Sequence, residues 1–140
     1  MDLIEQLRRD EGVRYTPYPD QFGNQTVGCV HKLVSGDSFI YPLTDPEVNT
    51  ILNADIADKQ DQIAPYAWFA NLDSVRCGAI TNMAFNVGTH GLLGFPHMIS
   101  CLAKQDWQGA HDQMLDSVWA TQVGDRATRL AIQILTGEWQ

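Results

Sequence analysis

The chain has 140 residues, 44% of them hydrophobic, which suits one domain with a core of its own and excludes two full-sized ones or a disordered segment. Its formal charge of -8 leaves eleven acids and five bases in residues 1–70, and six acids and four bases in residues 71–140. Phosphate binding requires clustered Lys and Arg, and the bases here are scattered, so nucleic acid is excluded as a partner.

The start, MDLIEQLRRDEG, is charged at Asp2, Glu5, Arg8, Arg9 and Asp10 and has no long apolar run. Neither a signal peptide nor membrane insertion is expected, which places the product in the cytoplasm. Asp2 caps a first helix over residues 2–11, with Glu5 three residues on, and Leu3, Ile4 and Leu7 form an apolar stripe that ends before Glu11.

Residues 14 to about 34 alternate β formers with turn residues and read as two or three short strands. Here the chemistry concentrates. Eight residues separate Glu11 from Asp20, and five more lead to Thr26. Two carboxyls and a hydroxyl are what sugar-bond hydrolysis asks for, one acid to protonate the leaving oxygen and the other to activate water. Pro17 and Pro19 stiffen the approach to Asp20, while Gly23 and Asn24 supply the backbone angles of a hairpin turn. Glu11 then ends a helix, with Asp20 and Thr26 on a small sheet facing it. Three such common residues also reach this spacing by chance in unrelated chains.

After a loop over residues 35–43, Thr44, Pro46 and Glu47 form a second capping signal before a long helix bearing Val48, Ile51, Leu52, Ile56 and Ile63. The acids between them, Asp55, Asp58 and Asp61, read as a solvated face. Pro65 ends that helix, and Tyr66, Trp68 and Phe69 form a short aromatic piece of the core. A buried helix follows from Asp73 to about Val87, stopped by Gly88. Gly91, Gly94 and Pro96 break the chain before a helix near 98–104. Asp106 caps another helix, Ser117 or Asp116 starts a short one around Trp119, and the last runs from Gly124 to Gly137. Strands first and helices after suggest an α+β fold with a small lobe, a joining helix and a helical lobe.

Cys29, Cys77 and Cys101 lack CxxC spacing and read as free thiols, with a Cys77–Cys101 bridge left open. His90, His97 and His111 show no paired metal spacing and read as surface or packing residues.

The motifs in order carry a resemblance: L-R-x-D-E-G at Leu7 to Gly12, Y-x-D at Tyr18 to Asp20, T-x-G at Thr26 to Gly28, and His31. L-D-x-V-R at Leu72 to Arg76, N-M-x-F at Asn82 to Phe85, G-F at Gly94–Phe95, R-A-x-R at Arg126 to Arg129 and T-G-x-W at Thr136 to Trp139 complete it. Over most of its length the chain resembles the phage-type lysozymes of glycoside hydrolase family 24.

That resemblance implies a single two-lobed domain over 1–140: a small β lobe of about 12–60, and a helical lobe of about 61–140 joined by the N-terminal helix 2–11, with a cleft between the lobes. It implies a muramidase that cleaves the β-1,4 bond between N-acetylmuramic acid and N-acetylglucosamine of bacterial peptidoglycan with inversion and without cofactor or metal. Glu11 is then the general acid, Asp20 the carboxylate that activates water or steadies the sugar cation, and Thr26 the hydroxyl that places the water. Arg126 matches an arginine beside the catalytic glutamate. That proximity favours the ionised acid, so desolvation must oppose it. Asp10 is structural, pairing with Arg126 or capping a turn, and His31 belongs to a salt bridge of the small lobe. Phe85 and Asn86 line the floor of the cleft, Asn86 as the candidate to bind an N-acetyl group, whereas Asn82 satisfies backbone groups in the core. The resemblance further implies a monomer that leaves the host cytoplasm by holin-type release or travels with a virion partner.

Two rivals stand beside this reading: an inactive lysozyme-fold module for wall docking or virion structure, and a hydrolase of chitin-like polymers. The sequence departs from the family in a short loop after His31, in Val123–Gly124 before Arg126, and in Val30 where glycine is usual. A β-branched residue there is expected to narrow the hairpin or turn Thr26. The acidity is also unusual for an enzyme acting on an anionic wall.

Overall fold

A computed structural model describes residues 1–140. The elements run α1 (Leu3–Glu11), β1 (Arg14–Pro19), β2 (Gln25–Gly28), β3 (His31–Lys32), α2 (Asp45–Ile63), α3 (Ala67–Ala70), α4 (Ser74–Leu93), α5 (Pro96–Ala103), α6 (Trp107–Leu115), α7 (Val118–Val123) and α8 (Asp125–Thr136). The fold is α+β, mostly helical with one small antiparallel sheet, as a lysozyme fold requires. No helix is long and apolar enough to cross a membrane.

The chain forms two compact units, Ile4–Asp58 and Lys59–Gln140 with Met1–Leu3. The division falls inside α2, and nearly all of α1 lies in the unit that holds the sheet. Arg8 supplies the reason. Its guanidinium donates to Asn49 Oδ1 at 2.9 Å and to Asp45 Oδ1 at 2.6 Å, while the Tyr15 hydroxyl donates to the same Asp45 oxygen at 2.7 Å, so α1, β1 and the start of α2 share one polar node.

In this smaller unit the strand order is β1-β2-β3, with Tyr18 opposite Thr26 and Val27 opposite His31. Leu7, Val27, Cys29, Leu43, Val48 and Leu52 are its buried apolar residues. The capping box ahead of α2 forms as expected. The Thr44 hydroxyl and backbone N–H both donate to Glu47 Oε1, at 2.8 and 3.2 Å, and the Glu47 N–H returns a 3.3 Å bond to the Thr44 hydroxyl. Two peptide N–H groups that the helix cannot satisfy internally are thereby paired.

The larger unit packs α3 to α8 and the end of α2 around one core that includes Ile63, Ile80, Met83, Leu92, Met98, Leu102, Met114, Leu130 and Ile134. Each such side chain, removed from water, contributes about 1.5–3 kcal/mol before entropy is counted. Asp73, Asp106 and Ser117 cap α4, α6 and α7 through their side chains, and Gly137 ends α8 in the left-handed conformation. Gly88 adopts φ 77° and ψ 163°, so the predicted stop is a break in helical geometry, after which the chain turns helical again to Leu93. Arg76 ties the C-terminus of α8 to α4: it donates to the Ile134 carbonyl at 2.6 Å, pairs with Asp73 at 2.9 Å and lies 4.1 Å over the Trp107 ring. All three cysteines are free thiols, which closes the question of a Cys77–Cys101 bridge.

Candidate active site

Glu11 is the last residue of α1, and the helix ends there because Gly12 takes φ 74° while its N–H still bonds the Arg8 carbonyl at 3.1 Å. The carboxyl is half-buried at the helix end, where β1 begins three residues later. Its neighbour Asp10 accepts from Arg9 Nε at 2.9 Å.

Asp20 follows β1 directly, at the mouth of the β1–β2 turn. Its Oδ1 accepts from the Phe22 and Asn24 N–H groups at 2.8 and 2.9 Å, and its Oδ2 from the Asn24 amide at 3.2 Å. Desolvation works to raise the carboxyl's pKa, but the Asn24 and Phe22 N–H groups, the Asn24 amide and the Lys32 charge outweigh it and hold it below the usual aspartate value. The group is therefore a carboxylate at neutral pH, with its lone pairs aimed by the turn.

Thr26 is buried on β2, and its hydroxyl donates to the Asn24 carbonyl at 3.0 Å. The same carbonyl accepts the Asp20 N–H at 2.8 Å. Asn24 is thus the hub of the site, contacting Asp20 through backbone and amide and Thr26 through its carbonyl. Sequence reasoning saw only a turn former. The available signal was that asparagine tolerates a turn as glycine does and adds a side-chain donor for the preceding acid. With its proton committed to Asn24, the Thr26 hydroxyl presents lone pairs, so a water beside it would donate to it.

His31 opens β3 with Nδ1 2.8 Å from Asp55 Oδ2 and Nε2 3.1 Å from Asp37 Oδ2, and its ring meets Phe39 edge-on at 6.2 Å. Burial opposes the imidazolium, yet the two carboxylates win and raise the histidine's pKa. The expected salt bridge is present, and it corrects the reading of Asp55 as part of a solvated face. Asp55 is half-buried, turned inward by a histidine 24 residues earlier in the chain. Asp37, which also accepts the Val34 N–H at 2.9 Å, pins the loop after His31.

Cys29 is buried in this unit, and burial together with the charges of Glu11 and Asp55 overrides the influence of Arg8 to push its thiol up to about 11. It stays protonated and inert. Val30 stands in the β2–β3 turn at φ 55°, a left-handed backbone that a β-branched residue occupies only under strain. The hairpin keeps the register that places Thr26, with the strain borne at Val30.

The other candidates belong to the larger unit. Arg126, at the start of α8, is buried, and its Nε and Nη2 donate to Asn82 Oδ1 at 3.0 and 2.8 Å while Nη2 also reaches the Asn82 carbonyl at 3.2 Å. Asn82 therefore holds an arginine's guanidinium that comes from 44 residues away. Asn86 is exposed on α4, and its Oδ1 accepts the Trp119 indole N–H at 2.6 Å. An indole can only donate, so this bond fixes the amide's orientation and turns its NH2 group outward as a donor for a carbonyl-bearing ligand. Phe85 is half-buried one residue earlier.

A model of the phage lysozyme family matches residues 8–132. Among curated proteins, the pre-baseplate central spike protein Gp5 of Enterobacteria phage T4 is 32% identical, an alignment covering 98% of this chain and 28% of the spike protein. Probable T4-type lysozyme 1 of Dictyostelium discoideum is 27% identical over 96% of this chain and 94% of its own length. The SAR-endolysin of bacteriophage PS34 is 33% identical over 74% of this chain and 60% of its own.

Proposed function

Because the chain belongs to the phage lysozyme family, we propose that it hydrolyses peptidoglycan, cutting the β-1,4 bond between N-acetylmuramic acid and N-acetylglucosamine. The observation that carries this reading is the Asp20–Asn24–Thr26 arrangement: an ionised acceptor and a hydroxyl that are both bonded to Asn24 in one turn.

In the proposed reaction a water donates one proton toward Asp20 and the other toward Thr26 Oγ1. Both of its hydrogens are then engaged, and a lone pair is left to attack the anomeric carbon. Asp20 takes the proton as the bond forms. Glu11 delivers its proton to the departing glycosidic oxygen and leaves a free hydroxyl on the next sugar. Attack by a held water on the face opposite the leaving group inverts the anomeric centre. In the larger unit Arg126 is anchored by Asn82. The Asn86 NH2 group, oriented by Trp119, is suited to an N-acetyl carbonyl.

No step needs a cofactor. The chain acts as a monomer that reaches the wall after holin-type release from the host cytoplasm or as part of a virion. Its alignment with a spike protein over 98% of this chain favours the second route and keeps the inactive virion module as the rival reading.

Purified wild type and Glu11→Gln, each incubated with peptidoglycan and with chitin oligomers, separate these readings. Muramic-acid-ended fragments released by wild type alone support the proposal. Binding without release by either protein supports the module, and release from chitin alone overturns the substrate assignment.

A further inference from the structure

The turn from Asp20 to Asn24 is closed by bonds that call for Asp20, Gly23 and Asn24. The Asp20 N–H donates to the Asn24 carbonyl at 2.8 Å, the Gly23 N–H donates to the Asp20 carbonyl at 3.0 Å, and Gly23 takes φ 82°. Phe22 lends the turn only its N–H, which Asp20 Oδ1 accepts at 2.8 Å and which every residue except proline could supply. Its phenyl ring is 76% exposed, and the ring pairs of this unit, His31–Phe39 and Phe39–Tyr41, do not include it. Turns favour small polar residues, so the fold gives no reason for an aromatic ring at this position.

Single exposed apolar side chains are ordinary on a protein surface. What sets Phe22 apart is its tether. Val34 and Ile40 are also exposed, but they lie in the loop after β3 and bond to none of Asp20, Asn24 and Thr26. Phe22 is joined by its own N–H to the carboxylate proposed to activate water. Bond lengths keep the centre of a phenyl ring within about 5 Å of its backbone nitrogen in every rotamer, so the Phe22 ring stays within about 8 Å of Asp20 Oδ1. A sugar presented to Asp20 is therefore within reach of that ring.

The chemistry of the two surfaces matches. In the β-1,4-linked sugars of the wall every ring substituent is equatorial, so each face of the sugar shows C–H groups alone. An aromatic face carries the negative end of its quadrupole and attracts the weakly positive hydrogens of such a surface. An uncharged ring also contributes affinity that the repulsion between a chain of charge -8 and an anionic wall does not oppose.

We infer that Phe22 is a sugar-stacking residue, its ring receiving the C–H face of a wall sugar beside Asp20. The inference rests on the reading of Asp20 as a glycan-cleaving carboxylate given above. Affinity and cleavage would then be served by a single turn, its tip holding the sugar and its base the water.

Phe22→Leu keeps the apolar bulk but removes the flat face, whereas Phe22→Tyr keeps both. With soluble, peptide-bearing glycan as substrate, Phe22→Leu should raise KM about three- to tenfold and leave kcat within about twofold, while Phe22→Tyr should match wild type. Both variants should melt within about 2 °C of wild type, as expected of an exposed turn position. Calorimetric titration of Glu11→Gln and of Glu11→Gln/Phe22→Leu, with the same glycan before and after its peptides are removed by an amidase, should show the same fold loss of affinity in both cases.

An unchanged KM in Phe22→Leu would overturn the inference. So would a fall in kcat or a shifted acidic limb of the pH profile at constant KM, because the side chain would then be acting through the turn on Asp20. A loss of affinity confined to the peptide-bearing glycan would assign the ring to the peptide instead of the sugar. Absence of hydrolysis by wild type refutes the proposed function and leaves the titrations to decide the role of Phe22; hydrolysis intact with equal KM values refutes the role of Phe22 alone.

Discussion

Asn82→Ala should be among the most damaging single changes in the helical unit. It removes an oxygen that accepts two N–H bonds, at 3.0 and 2.8 Å, from an arginine that is 9% exposed, while the 3.2 Å bond to the backbone carbonyl stays. A hydrogen bond to a charged group contributes about 1.5–3 kcal/mol, and two that share one acceptor do not add fully, so the expected cost is about 2–4 kcal/mol. For a chain of this length that lowers Tm by roughly 6–12 °C. Thermal and urea unfolding of Asn82→Ala, Arg126→Met and the double variant form the assay. The double variant should recover at least about 1 kcal/mol relative to the sum, because no guanidinium is then left short of acceptors. A cost for Asn82→Ala under about 1 kcal/mol, or strict additivity, would refute the argument that Asn82 is there to hold Arg126.

Val30→Gly removes a left-handed strain of about 1–2 kcal/mol and adds about 0.4–1 kcal/mol of unfolded-state entropy, so Tm should rise slightly; a clear fall would show that the valine's packing outweighs its strain. His31 has its pKa raised in the fold, so its contribution is complete below about pH 6.5 and fades as pH climbs through the folded value. Asp37, held low first by the Val34 N–H and then by His31, contributes above about pH 3.9 and fades as pH falls through its folded value. Urea unfolding from pH 4 to 9 should show wild type losing stability on the alkaline side and His31→Asn losing that slope; identical slopes would remove the salt bridge from the account. With a charge of -8 facing an anionic wall, lysis of whole cells should improve from low to moderate ionic strength, and a steady decline from the lowest salt upward would contradict this.

What could be read from the sequence was what neighbours in the chain decide. The Thr44–Glu47 capping box, the Asp106 cap and the Gly137 terminus each need partners only two to four residues away, and each is visible as a short pattern. Glu11, Asp20 and Thr26 stood out for the same reason, all falling within one helix end and one hairpin.

What escaped was long-range pairing. Nothing local to Asp55 distinguishes it from Asp58 or Asp61; it is the turn after β2, aiming His31 at α2, that selects it. Asn82 could not be separated from a core amide without knowing that Arg126 arrives 44 residues later, nor Asn86 from a free amide without Trp119, 33 residues on. Asn24 was missed by a different route. Its turn-forming role was sufficient reason for its presence and concealed its bonds to both Asp20 and Thr26.

The central claim is that Asp20 and Thr26 hold a water for direct attack. Proton NMR of the first sugar product tests it most directly, by reading the anomeric configuration of the new muramic-acid reducing end before mutarotation. The account predicts that the α anomer appears first from the β-linked substrate. A first-formed β anomer, or a sugar covalently attached to Asp20, would contradict it.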